Sequence, residues 1–281
     1  FHADVPPDNS RARSFKPHPW DGRQVPSPSH YGEKYRHPYE AQLLAGKIQY
    51  PMDQLRAPKK PRPMPGSLDS PSKDLTWVDS AEDLEKLATA LRGNQGGDDK
   101  LAAALSDQGL QAVAIDLEHH SYRSFQGLTC LLQLSTDKED FIVDCLAPPV
   151  REGLGRTLGP TLANPNIVKV LHGADSDVLW LQRDFGLYIV NLFDTGQAAR
   201  VLGYPSFGLA WLLGHHANLK EATQLKAKYQ LADWRLRPLE PGMLRYARMD
   251  THYLLAIYDK LRMELNNKGG TDAIIKVVDK S

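Results

Sequence analysis

The sequence predicts an α/β fold: a mixed sheet flanked by helices, preceded by an extended Pro-rich segment. Three observations predict it. Two apolar runs of strand length are joined by a short polar turn at 136–139, an antiparallel start. Beyond residue 154, strand-length apolar runs alternate with helical periods, so the sheet is of mixed direction with helices on both faces. Residues 1–75 hold 13 of the 20 prolines and show no sustained period.

Taken in order, residues 1–75 form the first segment. Runs such as Pro58-Lys59-Lys60-Pro61-Arg62-Pro63-Met64-Pro65 build no regular structure, because proline fixes φ and removes donors. The aromatics Trp20, Tyr31, Tyr35, Tyr39 and Tyr50 suggest a strap packed on the body or on a partner; a disordered linker is the alternative. The body, 76–265, opens at Thr76-Trp77-Val78. Ser80-Ala81-Glu82-Asp83 has the capping-box form and starts an apolar period at Leu84, Leu87 and Leu91. A polar break at 94–99 and a brief helix at 100–105 lead to a buried strand at 112–118. Strands at 128–135 and 140–145 form a hairpin. Helices are expected over 154–162, 175–185, 195–202, 208–215, 217–229 and 241–265, and strands over 167–171 and 188–193. Residues 266–281 are polar and then apolar, the start of a further element.

Net charge is zero, which announces no nucleic acid by itself. Its distribution says more: residues 1–73 carry 12 Lys+Arg against 7 Asp+Glu, leaving an acidic body suited to gathering carboxylates around metal. Cys130 and Cys145 lie in separate apolar runs without metal-ligand spacing and read as buried free thiols. No run approaches the ~18 apolar residues of a membrane helix. The chain does not begin with Met, so it reads as an excerpt of something longer.

Within the body, the chemistry gathers around acids. Ala112-Val113-Ala114-Ile115-Asp116-Leu117-Glu118 sends two carboxylates from one face of an apolar strand, since residues two apart point the same way. Adjacent acids there repel each other and resist desolvation, so a cation is expected between them. A strand ending at the surface, with both acids solvated, is the plain alternative. Leu171-His172-Gly173-Ala174-Asp175-Ser176-Asp177 is a strand-to-helix turn, a place where α/β sheets bind ligands. Asp175 suits the first helical turn, while Asp177 shares a face with Trp180 and Leu181. Tyr246 and Asp250, i and i+4 on a helix, stack on one face; a phenol–carboxylate hydrogen bond is the bland reading of that pair.

Four acids on three elements meet the needs of two-metal phosphodiester hydrolysis, in which one ion generates the nucleophile and the other steadies the leaving oxygen. Oxygen donors suit Mg²⁺ or Mn²⁺. No histidine spacing assembles a zinc set, and no Walker loop or Gly-x-Ser-x-Gly elbow is present.

Asp-Leu-Glu at 116–118, His-Gly-Ala-Asp-Ser-Asp at 172–177 and Tyr-x-x-x-Asp at 246–250 resemble the three motifs of the DEDD-Y exonucleases. The text from Asp116 through His119, Tyr122 and Phe125 to Cys130, the stretch 230–239, and Asp250-Thr251-His252-Tyr253-Leu254-Leu255 resemble the RNase D-like exoribonucleases of the nuclear exosome, with a fainter echo at His37-Pro38-Tyr39. The resemblance runs from about 74 to 265. It implies a ribonuclease H-like domain and metal-dependent 3′→5′ hydrolysis of RNA to nucleoside 5′-monophosphates. Residue by residue, it implies that Asp116, Glu118, Asp177 and Asp250 hold two divalent ions, with Asp175 the runner-up to Asp177. Tyr246, aided by Glu118, would orient the attacking water. It further implies a nuclear protein, nucleolar included, engaged in rRNA processing. Single-stranded RNA, the exosome core and a small cofactor protein would be its partners, with a helical HRDC domain following residue 281.

For RNA contacts, residue types nominate Trp180 to stack on the terminal base, and His120, Tyr122 and Arg123 to meet the last nucleotides. In the 230–239 stretch, Asp233 and Trp234 would order the loop, Trp234 counting among the RNA-binding residues, and Arg235 and Arg237, with Lys226 and Lys228, would meet phosphates. A core tryptophan and a solvated basic loop are the structural alternatives. Two other functions compete: a DNA exonuclease of the same superfamily, since the metal site does not read the sugar, and a catalytically silent RNA-binding or scaffold module.

Overall fold

A six-stranded mixed sheet carries the site, in the order β1-β4-β3-β2-β5-β6. The computed structural model describes residues 55–69, 73–92, 111–122 and 124–281. The aromatics between 20 and 50, the His37-Pro38-Tyr39 echo, the expected helix at 100–105 and Arg123 lie outside the described residues.

The strands are β1 (Asp74–Val78), β2 (Ala112–His120), β3 (Leu128–Ser135), β4 (Glu139–Asp144), β5 (Val168–Leu171) and β6 (Leu192–Asp194). β2–β3 and β3–β4 pair antiparallel, while β1–β4, β2–β5 and β5–β6 pair parallel. The helices are α1 (Ala81–Arg92), α2 (Pro148–Leu162), α3 (Asp175–Phe185), α4 (Thr195–Leu202), α5 (Leu209–Ala217), α6 (Ala222–Tyr229), α7 (Pro241–His252) and α8 (Leu254–Val278).

Alternation along β2 decides which way its acids face. Val113, Ile115 and Leu117 enter the core shared with α1, α2 and α3, and Ala112 and Ala114 enter the opposite core, which holds Met243, Ala247 and Met249 of α7. Asp116 and Glu118 keep the parity of Ala112 and Ala114 and therefore face α7. The ladder shifts between Glu118 and His119, a bulge that ends the alternation just past the acids. Cys130 and Cys145 are buried free thiols, as expected.

Several boundaries differ from expectation for identifiable reasons. α2 begins at Pro148-Pro149, where missing N–H groups cost nothing in a first turn. β6 starts late because Asn191, with φ 62°, breaks the extended run. Asn218, with φ 56°, caps α5 in the left-handed conformation and separates it from α6. The expected helix over 241–265 is two helices that meet at Tyr253. Residues 266–278, expected as the start of a further element, continue α8 beyond a kink at Gly269 and Gly270, and Ala273, Ile274, Val277 and Val278 are buried in the core.

The described part of the Pro-rich segment lies along α7 and α8. Leu55 is buried, the Arg62 backbone N–H and guanidinium bind Asp259 at 2.8 and 2.7 Å, and His252 Nε2 meets the Gly66 carbonyl at 3.0 Å. Proline-rich chain has few donors to satisfy, so these anchors and apolar contacts suffice to hold it.

Candidate active site

β2, α3 and α7 converge on one cleft of ≈ 380 Å³ whose walls include Asp116, Glu118, Asp177, Tyr246 and Asp250. One carboxylate oxygen from each of Asp116, Glu118 and Asp250 lies within 4.8 Å of the others. Asp177 enters the same cleft from α3. Asp175, two residues earlier, is exposed, so the structure brings Asp177 and not its neighbour to the acids.

Their charges are mutually costly. Burial, then the Asp250 charge, holds the Asp116 carboxyl well above the usual range. Glu118 is pushed up by burial and by Asp116, Asp250 and Asp177, against a 3.4 Å bond donated by Gln133 Nε2. Asp177 rises to about 8 through burial and the charges of Asp116, Asp194 and Asp175. Asp250 rises to about 7, chiefly by burial. Four carboxylates with Lys226 the only Lys or Arg beside them among the described residues are an all-oxygen donor set short of positive charge, and they fit a hard divalent ion. No Cys or His belongs to the clustered set, so its chemistry does not select zinc.

Tyr246 hydrogen-bonds Asp250 one turn along α7. Burial and the charges of Asp250, Glu118 and Asp116 raise its pKa far above the ordinary phenol value, so it stays protonated and serves as a hydrogen-bonding group, not a base. Its ring lies 6.4 Å from Tyr229 and 6.1 Å from Trp234. Gly242 makes the first of these contacts possible: a Cβ there would fall 1.9 Å from the Tyr229 hydroxyl.

Residues 75–266 match a family described as 3′-5′ exonuclease. The chain belongs to that family. Among its relatives, the protein RRP6-like 1 of Arabidopsis thaliana is 43% identical over 241 residues, 86% of this chain and 33% of the relative. The exosome complex exonuclease RRP6 of Saccharomyces cerevisiae is 39% identical over 269 residues, 94% of this chain and 32% of the relative. The chain thus spans about a third of the length of these relatives. The crystal structure of the catalytic core of RRP6 from Trypanosoma brucei superposes with a TM-score of 0.72 at 42% identity, covering 90% of this chain and 61% of that one. Escherichia coli RNase D, an exoribonuclease, superposes with a TM-score of 0.55 at 25% identity, covering 72% of this chain and 48% of that one. The fold is therefore that of the RNase D and RRP6 exonucleases.

Around this candidate site, the residues nominated for RNA separate into two groups. Trp180 and Tyr122 line the cleft, as does Lys226. Trp180 stacks on His119 with centroids 4.1 Å apart and an interplanar angle of 4°. His119 is turned to the cleft and His120 away from it, because the bulge after Glu118 reverses the expected parity. His120 is only 4% exposed and faces Asp233, Nδ1 to Oδ1 3.5 Å, so it supports the 230–239 loop from beneath. Trp234, at 0% exposure, is a core residue behind Tyr246 and offers RNA no surface. Arg237 is likewise structural: it binds Asp144 and the carbonyls of Cys130, Trp234 and Leu236. Arg235 is held by a two-toothed pair with Asp233 at 2.8 and 2.7 Å, and Lys228 reaches Glu240 at 3.4 Å from an exposed position.

Sequence reasoning passed over Asp194 and Gln133, both buried and both touching the site's framework. Asp194 had a signal, an acid directly before a helix start. Gln133 had none, because only the β2–β3 register sets it opposite Asp116.

Proposed function

We propose that this chain is the catalytic part of a 3′→5′ exoribonuclease of nuclear RNA processing and decay, hydrolysing single-stranded RNA to nucleoside 5′-monophosphates. The observation that carries this reading is the convergence of Asp116, Glu118 and Asp250 within 4.8 Å, with Asp177 and Tyr246 in the same cleft. The exonuclease domain spans 76–265, with the Pro-rich segment 1–75 ahead of it and 266–281 after it, part of which packs back into the core. In the full-length protein the partners are the exosome core and its cofactor protein, in the nucleus and nucleolus; the RRP6 relatives support that placement.

Asp116, Glu118, Asp177 and Asp250 would hold two Mg²⁺ or Mn²⁺ ions, which supply a nucleophile at neutral pH and stabilise charge on the leaving 3′ oxygen. Tyr246, kept protonated, orients the attacking water together with Glu118. Water adds to phosphorus, the bond to the 3′ oxygen of the preceding nucleotide breaks, and that oxygen leaves as the new 3′-hydroxyl. The Trp180–His119 stack is placed to hold the terminal base, and Tyr122 stands at the rim. Lys226 balances the phosphate charge, while Arg235 and Lys228 lie further out, where a longer strand would pass.

The test is digestion of a 5′-labelled single-stranded RNA with Mg²⁺, with EDTA, and with Asp250→Asn. A ladder shortening from the 3′ end, lost in the latter two, is expected. RNA binding without shortening in Mg²⁺ or Mn²⁺ would leave only a binding module. The DNA strand of the same sequence, run alongside, decides whether the sugar is read.

A further inference from the structure

Asp194, the last residue of β6, is 3% exposed and has no cationic partner among the described residues. Its carboxylate instead accepts four backbone N–H groups from two separate elements. Oδ1 takes those of Gly196 at 2.7 Å, Gly173 at 3.0 Å and Gln197 at 3.2 Å, and Oδ2 takes that of Ala174 at 3.0 Å. The Gly196 and Gln197 bonds are an ordinary helix cap on α4. The bonds to Gly173 and Ala174 are not needed for that cap. They reach across to the turn between β5 and α3, which contains Gly173 with φ 69° and whose Ala174 is the residue before α3.

The turn is tied from the same side a second time. Thr195, next in sequence, donates its hydroxyl to the Leu171 carbonyl at 3.0 Å and meets His172 Nδ1 at 2.9 Å. Residues 171 to 174 are thus held one after another by Asp194 and Thr195. Asp177 follows three residues later on the first turn of α3 and lines the acid cleft.

We propose that Asp194 is a positioning residue of the exonuclease: its carboxylate fixes the Gly173–Ala174 turn and thereby aims Asp177 into the acid cleft. An acid placed by a glycine-containing turn needs such a fixture, because the turn itself admits several backbone conformations. The proposal rests on the metal-dependent reading above, and it concerns geometry rather than substrate contact. Its mark is a weakened hold on the divalent ion with little change in affinity for RNA.

The experiment compares the wild type with Asp194→Asn, Gly196→Ala and Asp175→Asn. Asp194→Asn keeps the shape but replaces an acceptor with an N–H donor aimed at backbone donors. Gly196→Ala is the milder variant for the case in which the first does not fold; its Cβ would lie 3.1 Å from Asp194 Oδ1 and 3.5 Å from His172 Cε1. Asp175→Asn removes a charge that also acts on Asp177, but from an exposed position off the turn. Mn²⁺ affinity is read directly by calorimetry, and separately as the Mn²⁺ concentration giving half-maximal RNA cleavage.

Asp194→Asn is expected to raise the Mn²⁺ dissociation constant and the half-maximal Mn²⁺ concentration by about tenfold or more, and Gly196→Ala by about threefold, with KM for RNA within about twofold; Asp175→Asn should stay within about threefold. Loss of folded protein alone lowers the active fraction without moving either Mn²⁺ midpoint. Wild-type Mn²⁺ midpoints in folded Asp194→Asn, or in Gly196→Ala where Asp194→Asn does not fold, overturn the proposal. So does an equal shift in Asp175→Asn, which would reduce the effect to charge. Should the wild type bind Mn²⁺ yet cleave no RNA, the nuclease reading fails while the calorimetric comparison still decides the role of Asp194.

Discussion

Trp234 lies with its ring centroid 6.1 Å from that of Tyr246, tilted by 32° and fully buried. The tryptophan nominated from sequence for an RNA-facing loop is thus the wall behind the phenol that faces the acids. Trp234→Ala should cost ~3–5 kcal/mol of stability, the usual range for deleting a buried aromatic. Trp234→Phe should retain the fold and lower kcat several-fold by loosening Tyr246. In neither variant should KM for RNA rise in proportion, and a KM effect without a fall in melting temperature would return Trp234 to the RNA-contacting group.

The acids make the metal-free protein sensitive to pH in a defined direction. Asp177 and Asp250 have folded-state pKa values raised to about 8 and about 7 from an ordinary 3.8. A raised acid contributes stability that is present below its unfolded pKa and is lost as pH rises through the folded one. In EDTA, stability should therefore fall as pH rises from about 4 to about 8, by an amount on the order of 1–3 kcal/mol, and melting temperature should fall with it. Divalent ion should offset most of the fall, because it compensates the charges that repel. A melting temperature flat over that range in EDTA would contradict the mutual repulsion.

Neutralising one acid of the cleft should separate stability from activity. Asp116→Asn removes a charge that acts on Glu118 and Asp177, and Asp116 is itself pushed well up. Without metal, the variant should be more stable than the wild type above neutral pH, by roughly 1 kcal/mol. Its cleavage rate should fall by about three orders of magnitude or more, and its stabilisation by Mg²⁺ should shrink. Thermal melts with and without Mg²⁺, beside a cleavage assay, check all three.

What the sequence disclosed, and what it hid, follows from the range of the interactions. The period-2 run at Val113–Ile115–Leu117 and the helical period of α7 are local, so Asp116, Glu118, Tyr246 and Asp250 were placed on the right elements and faces. Asp177 over Asp175 rested on the spacing of the resembled motif, and the turn at Gly173 delivers it. The bulge after Glu118 is a register event between β2 and β3, invisible in either strand alone, and it exchanges the roles of His119 and His120. Trp234 and Arg237 read as loop residues because their neighbours are polar. Their burial comes from contacts across the chain, with Tyr246 and with Asp144 and Cys130.

Lys226 and Arg237, both nominated for phosphates, should part company on substitution. Arg237 satisfies Asp144 at 2.6 and 2.8 Å and the carbonyls of three residues. Removing it leaves a mostly buried acid and several acceptors unpaired, so Arg237→Ala should cost about 2–4 kcal/mol and lower activity through loss of folded protein. Lys226 lines the cleft, and no ion pair holds it among the described residues. With Mg²⁺ present to compensate the acids, Lys226→Ala should leave stability within ~0.5 kcal/mol. Its KM for RNA should rise about tenfold, and the slope of log affinity against log salt should become shallower by ~0.7, the value for one phosphate contact on a single strand. Melting curves and a salt titration of RNA binding measure both quantities. An unchanged salt slope would mean that Lys226 serves only to neutralise the acids beside it, and that the phosphate is met by groups further along the strand.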